Sequence, residues 1–324
     1  MISDAYKGIS LFFRNGAGVL PLSEQTVIAL GTFDGVHIAH KRLLERAVAF
    51  KNELGASFCG AFCFSKSPLS YLCGTDVPQI CTVEEKLDLM FDAGLDFVAV
   101  GDFDAFRDMS AQAFVTDVIC GQLGGIGAVC GFNYRFGKGG AGNSQTLCQM
   151  LGEQNVIALP KVSIDSVTVS STAIRDYLAS GNVAMANKML GRAFTLRAKV
   201  IPGKRLGRTI GCPTTNQVFP AGAVRLQNGI YATLCTTEDG KTYVGASNIG
   251  IRPSIDGDID DHSLNCETML ADFSHDIYGE LLTVEFCEFL RDEMKFSSLD
   301  ELSAAIRHDL DRAVAHFADK SADK

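Results

Sequence analysis

The sequence predicts two folds in series: an α/β doubly wound parallel-sheet domain, then an antiparallel β-barrel domain with a C-terminal helix. Three observations carry this. From about residue 26 to residue 181, short apolar runs alternate with segments of helical period, the pattern of repeated βαβ units. After Arg192 the texture changes to apolar alternation broken by glycine turns, as in an antiparallel barrel. Near the end, Leu302, Ile306, Leu310, Ala313 and Phe317 form one apolar stripe behind the capping signal Ser298-Leu299-Asp300-Glu301, which predicts a helix packed on the barrel. The boundary is placed after residue 182, giving domains 1–182 and 183–324, with the short helical stretch 183–190 as the joint.

In order along the chain, strands are expected at 26–30, 57–64, 97–101, 128–132 and 156–159, each short, apolar and rich in β-formers. A periodic segment, 41–54, supplies the first helix. Thr82-Val83-Glu84-Glu85 is a capping box opening a helix to Ala93, with Gly94 as its stop, and Ser110 caps a segment reaching Ile119. In the second half the strands are 230–237 and 242–246 around the turn Glu238-Asp239-Gly240, then 264–270 and 281–289. The tail after Ala318 is expected to fray.

Composition narrows the function classes. A chain of 324 residues, 47% apolar and 21% charged, can bury a sizeable core. A net charge of −9 argues against a broad basic surface, so neither nucleic acid nor a membrane is an expected partner, and anionic substrates must be gripped locally. No apolar run approaches the roughly 18 residues of a spanning helix, and the N-terminus lacks a signal-peptide layout, so a cytoplasmic protein is expected. The 11 cysteines include no Cys-x-x-Cys pair and read as buried thiols in a reducing compartment.

Two glycine loops carry the chemistry. Gly31-Thr32-Phe33-Asp34-Gly35-Val36-His37-Ile38-Ala39-His40 lies between the first strand and the first helix, where free N–H groups and the positive end of the helix dipole favour a phosphate. His37 and His40, three apart at the helix entrance, can point the same way. A lone histidine there would read as a cap or surface residue; the surrounding glycine turn favours phosphate contact. In the second half, Gly207-Arg208-Thr209-Ile210-Gly211-Cys212-Pro213-Thr214-Thr215-Asn216 places two oxygen donors, Thr214 and Asn216, two apart after a proline that fixes the turn. Oxygen-only ligands suit magnesium bound with nucleotide phosphates.

The first loop resembles the adenylyltransferase signature Gly-x-Phe-Asp-Gly-x-His-x-x-His, and the second the flavokinase signature Gly-Arg-x-x-Gly-x-Pro-Thr-x-Asn. In that order the chain resembles the bacterial bifunctional riboflavin kinase/FAD synthetase family. Further matches fall in sequence at Gly131-Phe132-Asn133-Tyr134-Arg135-Phe136-Gly137, Ser170-Ser171-Thr172-Ala173-Ile174-Arg175, Asn248-Ile249-Gly250-Ile251-Arg252-Pro253 and Leu290-Arg291-Asp292-Glu293-Met294-Lys295-Phe296. The resemblance implies riboflavin phosphorylation to FMN in the C-terminal domain and FMN adenylylation to FAD in the N-terminal domain, with ATP, riboflavin and FMN as partners and Mg2+ as cofactor. A weak homo-oligomer is compatible with it. It implies catalytic roles for His37, His40, Arg175 and Glu267, the last as general base. ATP contacts are implied for Gly31, Phe33, Asp34, Gly35, Asn133, Ser170, Ser171, Thr172, Gly207, Arg208 and Gly211, flavin contacts for Arg291 and Glu293, and metal contacts for Thr214 and Asn216. An ordinary helix cap at Ser170 to Thr172 and an exposed strand carboxylate at Glu267 are the plainer alternatives. An N-terminal domain that only binds nucleotide or flavin, or that serves another acceptor, is the alternative for the whole.

Overall fold

Apolar residues that alternate between two faces need cover on both, and Thr26–Leu30 shows the result: all five are buried, Val27 and Ala29 in one core, Ile28 and Leu30 in the other. The computed structural model describes residues 9–13, 16–17, 24–203, 210–251 and 264–322. The chain divides into two units, Met1–Ser171 and Thr172–Lys324.

In the first unit, β1 (Ile9–Phe13), β2 (Gly16–Ala17), β3 (Thr26–Leu30), β4 (Phe58–Phe64), β5 (Phe97–Gly101), β6 (Gly125–Gly131) and β7 (Val156–Leu159) form one sheet in the order β2-β1-β5-β4-β3-β6-β7. From β5 to β7 all pairs are parallel. β1, absent from the sequence expectation, adds antiparallel to β5. The chain winds outward from β3 through β4 to β5, then crosses back to β6 on the other side of β3. That reversal is the switch point at which doubly wound sheets bind ligands, beyond the carboxyl ends of their strands. The loops after β3 and β6 border it.

Helices cover both faces: α1 (Ile38–Leu54), α2 (Pro68–Cys73), α3 (Val83–Asp92), α4 (Phe103–Phe106), α5 (Ala111–Ala113) running into a π-helix at Phe114–Gln122, and α6 (Ser144–Leu151). The Thr82 capping box forms as expected, with Thr82 Oγ1 accepting from Glu85 N and Glu85 Oε2 accepting from Thr82 N. A short hairpin, β8 (Ser163–Ile164) and β9 (Val167–Thr168), precedes α7 (Ser171–Ala179).

In the second unit, α8 (Val183–Leu190) leads into β10 (Phe194–Lys199), β11 (Thr215–Val218), β12 (Gly229–Thr237), β13 (Thr242–Ile251), β14 (Leu264–Leu270) and β15 (Leu281–Arg291). They pair antiparallel in the order β10-β15-β12-β13-β14-β11. A bridge between Ile201 and Asn216 brings the two ends together, so the barrel is nearly closed. The last helix, α9 (Leu299–Ala322), lays Leu310, Ala313 and Phe317 on Ile230, Ala232, Val244 and Ala246, and it runs past Ala318, where fraying was expected. Its cap differs from expectation by one residue: Ser298 Oγ accepts from Glu301 N, but the Glu301 carboxylate accepts from Ser297 N. The described cysteines are free thiols, most of them buried. Burial pushes Cys59 up to about 12 and Cys130 to about 11.

Candidate functional site

The loop after β3 is held in an uncommon backbone. Phe33 and Val36 have φ of 51° and 36°, and Val36, β-branched, is an outlier of the kind stored at functional sites. Gly35 has φ 73°, and a Cβ there would stand 2.9 Å from Ile80 Cγ2. Long-range hydrogen bonds hold the loop: Asp34 Oδ1 accepts from Ile80 N at 3.0 Å, and Ser171 Oγ donates to Asp34 O at 2.9 Å across 137 residues of chain. Ser171 opens α7, so the glycine loop is tied to the first residue of that helix.

His37 is the N-cap of α1: its Nδ1 accepts from His40 N at 3.2 Å. An accepting Nδ1 leaves the ring proton on Nε2, ready to donate outward. The cap also starts α1 at Ile38, three residues before the expected start. His40 stacks on His37 with ring centroids 3.5 Å apart and 10° between planes, and lies 5.1 Å from Phe33. Burial, then His37, then Lys86 hold His40 well below its ordinary 6.5, so it is neutral. Its Nδ1 is buried with no hydrogen-bond partner among the described residues. Asn133 occupies the exposed turn after β6, beside a 54% exposed Phe132. Gly31 sits directly after β3, with its N–H on Phe62 O. Ser170 precedes α7, Thr172 is exposed in its first turn, and Arg175 is half-buried one turn on.

In the barrel, Glu267 stands opposite Asn216 on β11 and opposite Asn248 on β13. Directly opposed residues have Cβ atoms about 5 Å apart and share a face; Thr214 directly precedes β11, two residues before Asn216. Asn265 Nδ2 donates to Glu267 Oε1 at 3.1 Å. The Oδ1 atoms of Asn248 and Asn265 are buried without hydrogen-bond partners among the described residues. A Cβ at Gly203 would lie 2.5 Å from Asn216 Nδ2, so only glycine leaves Asn216 room. Gly211 is exposed just before β11. Gly207 and Arg208 lie outside the described residues.

Arg291 forms a two-pronged ion pair with Asp309, which is 2% exposed on α9, and donates its third nitrogen to Asp292 O. Glu293 accepts from Asn228 Nδ2 at 3.3 Å. The sequence reading missed Asp309, Asn265 and Lys86. Lys86 left a signal: with Met90 it holds a buried position of the α3 stripe, where an apolar residue is expected. Among the described residues no three His, Cys, Asp or Glu side chains gather as a metal site.

Comparison with known proteins matches both halves. The FAD synthetase family covers residues 20–173 and the riboflavin kinase family residues 190–317. The bifunctional riboflavin kinase/FMN adenylyltransferase of Haemophilus influenzae is 32% identical over 299 residues, covering 90% of this chain and 94% of that protein. Its namesake from Bacillus subtilis is 30% identical, covering 91% and 93%. Among solved structures, a Streptococcus pneumoniae chain described as a macrolide-efflux protein superposes with a TM-score of 0.80 at 27% identity, covering 90% and 94%. In the present chain no helix among the described residues is long and apolar enough to cross a membrane. With both catalytic families matched in one chain, in the order and over nearly the full length of such relatives, the chain belongs to the bifunctional riboflavin kinase/FMN adenylyltransferase family of flavin cofactor biosynthesis.

Proposed function

We propose that the N-terminal domain, 1–182, transfers AMP from ATP to FMN and that the C-terminal domain, 183–324, phosphorylates riboflavin. In adenylyl transfer a phosphate oxygen of FMN attacks the α-phosphorus of ATP, the bond to the β-phosphate breaks, and pyrophosphate leaves. The site's task is to hold the phosphates in line and stabilise their charge. Gly31, Phe33, Asp34 and Gly35 set the loop beneath the phosphates, and His37 and His40 donate from their ring nitrogens. Asn133 meets the nucleotide or flavin side. Ser170, Ser171, Thr172 and Arg175 supply hydroxyls and a guanidinium. The bond from Ser171 to Asp34, which joins the two motifs, is the observation that carries this reading.

In the kinase reaction Glu267 takes the proton of the ribityl 5′-hydroxyl as that oxygen attacks the γ-phosphate of ATP, and ADP leaves. Thr214, Asn216, Glu267 and the unpartnered Oδ1 atoms of Asn248 and Asn265 make an all-oxygen set that fits a hard divalent cation, magnesium. Thr214 and Asn216 would hold it; when bound, it neutralises charge on the β- and γ-phosphates. Gly207, Arg208 and Gly211 serve ATP, and Arg291 and Glu293 the flavin.

The test is product analysis with purified protein, riboflavin, ATP and magnesium. FMN with ADP, followed by FAD with pyrophosphate, is expected. FMN alone would sink the N-terminal assignment in favour of a domain that only binds nucleotide or flavin.

A further inference from the structure

Lys86 is 5% exposed. Among the described residues its ammonium makes one hydrogen bond, to Phe64 O at 3.4 Å at the carboxyl end of β4, and no carboxylate pairs with it. Asp34, the carboxylate of the adjoining loop, directs Oδ1 to Ile80 N and forms no ion pair with it. The charge of Lys86 acts on His40 and Cys63, with a lowering effect on the pKa of both. α3, which carries it, packs on the turn Asp34–Val36.

A buried ammonium without an acid is costly, and such a group is kept where an anion compensates it. The partners around this one are a carbonyl, a thiol and a neutral imidazole, none of which does so. The loop above it has the glycine turn and helix start that favour phosphate. We propose that Lys86 is a phosphate-binding residue of the adenylyl-transfer site, its ammonium taking up an anionic oxygen of the triphosphate and then of the departing pyrophosphate. The assignment rests on the adenylyl-transfer reading of this domain. The histidines donate hydrogen bonds from imidazoles; Lys86 adds an ammonium.

The full chain and its Lys86→Met and Lys86→Arg variants are compared in FAD pyrophosphorolysis, where magnesium pyrophosphate and FAD return ATP and FMN. Riboflavin phosphorylation is the internal control. Lys86→Met is expected to raise the KM for pyrophosphate by about ten- to a hundredfold, with most of it restored by arginine. The ligand-free Tm should hold or rise, because an uncompensated charge has been removed, and the Tm rise produced by pyrophosphate should shrink. An unchanged KM and Tm rise would overturn the proposal. So would a ligand-free Tm loss that neither variant escapes, which marks a structural lysine. A wild-type protein that interconverts no FAD would sink the adenylyl-transfer reading instead; loss of the pyrophosphate-induced Tm rise in Lys86→Met would then still support Lys86 as the anion's cation.

Discussion

His37 divides its work between two nitrogens. Nδ1 closes the first turn of α1, leaving Nε2 to donate, so the two roles can be separated by substitution. His37→Asn keeps a capping oxygen and should hold stability within a few tenths of a kcal/mol, whereas His37→Ala should cost about 1 kcal/mol. Both should cut FAD formation by roughly a hundredfold or more while FMN formation persists. Denaturation curves and product chromatography check this, and an asparagine variant with near-normal FAD synthesis would break the Nε2 assignment. His40 adds a pH dependence. Its folded pKa lies below 6.5 because of burial first and then the charges of His37 and Lys86, so the unfolded chain binds its proton more readily. The stability this gives is present above pH 6.5 and is lost as pH falls from 6.5 toward the folded pKa. Thermal melts of wild type and His40→Gln across that window should show the flatter profile in the variant; equal slopes would mean another group titrates.

At the scale of elements, Arg291 and Asp309 decide how α9 is held. Asp309→Ala leaves a half-buried guanidinium without its partner and should destabilise the chain by about 3–5 kcal/mol in urea titration. Were Arg291 chiefly a flavin contact, the variant would instead raise the riboflavin KM at constant stability. Elements were legible where side chains answer their own backbone or an apolar run exceeds what solvent tolerates: β3, β5, β7, β14 and the Thr82 box stand where the sequence predicts them. β1, β10 and β11 were hidden because short strands acquire their meaning from distant partners: β1 from β5, β10 from β15, β11 from β14. The slip at α9 has a local cause, since adjacent serines at 297 and 298 offer Glu301 two equivalent targets. The glycine loops and histidines stand out in the sequence as local motifs. Lys86 left only a faint signal and Asp309 none, because a charged residue is ordinarily assigned to the surface.

For the whole molecule, two units with their own cores imply that lesions stay local. Glu267→Gln keeps size but removes the proton acceptor; FMN synthesis should fall by about two to four orders of magnitude, while supplied FMN is still adenylylated. Assaying the two half-reactions separately checks this, and near-normal kinase turnover would reduce Glu267 to a strand residue. The bond between Ser171 and Asp34 has a further consequence in the order of synthesis. Its partners are 137 residues apart, so at about 5–20 residues per second the second is made on the order of ten seconds after the first. Until then the nascent chain carries the histidines of the loop without its latch, and the strained turn at Val36 lacks that restraint. An emerging ribosomal chain therefore lacks the completed loop until nearly all of the first unit has been translated.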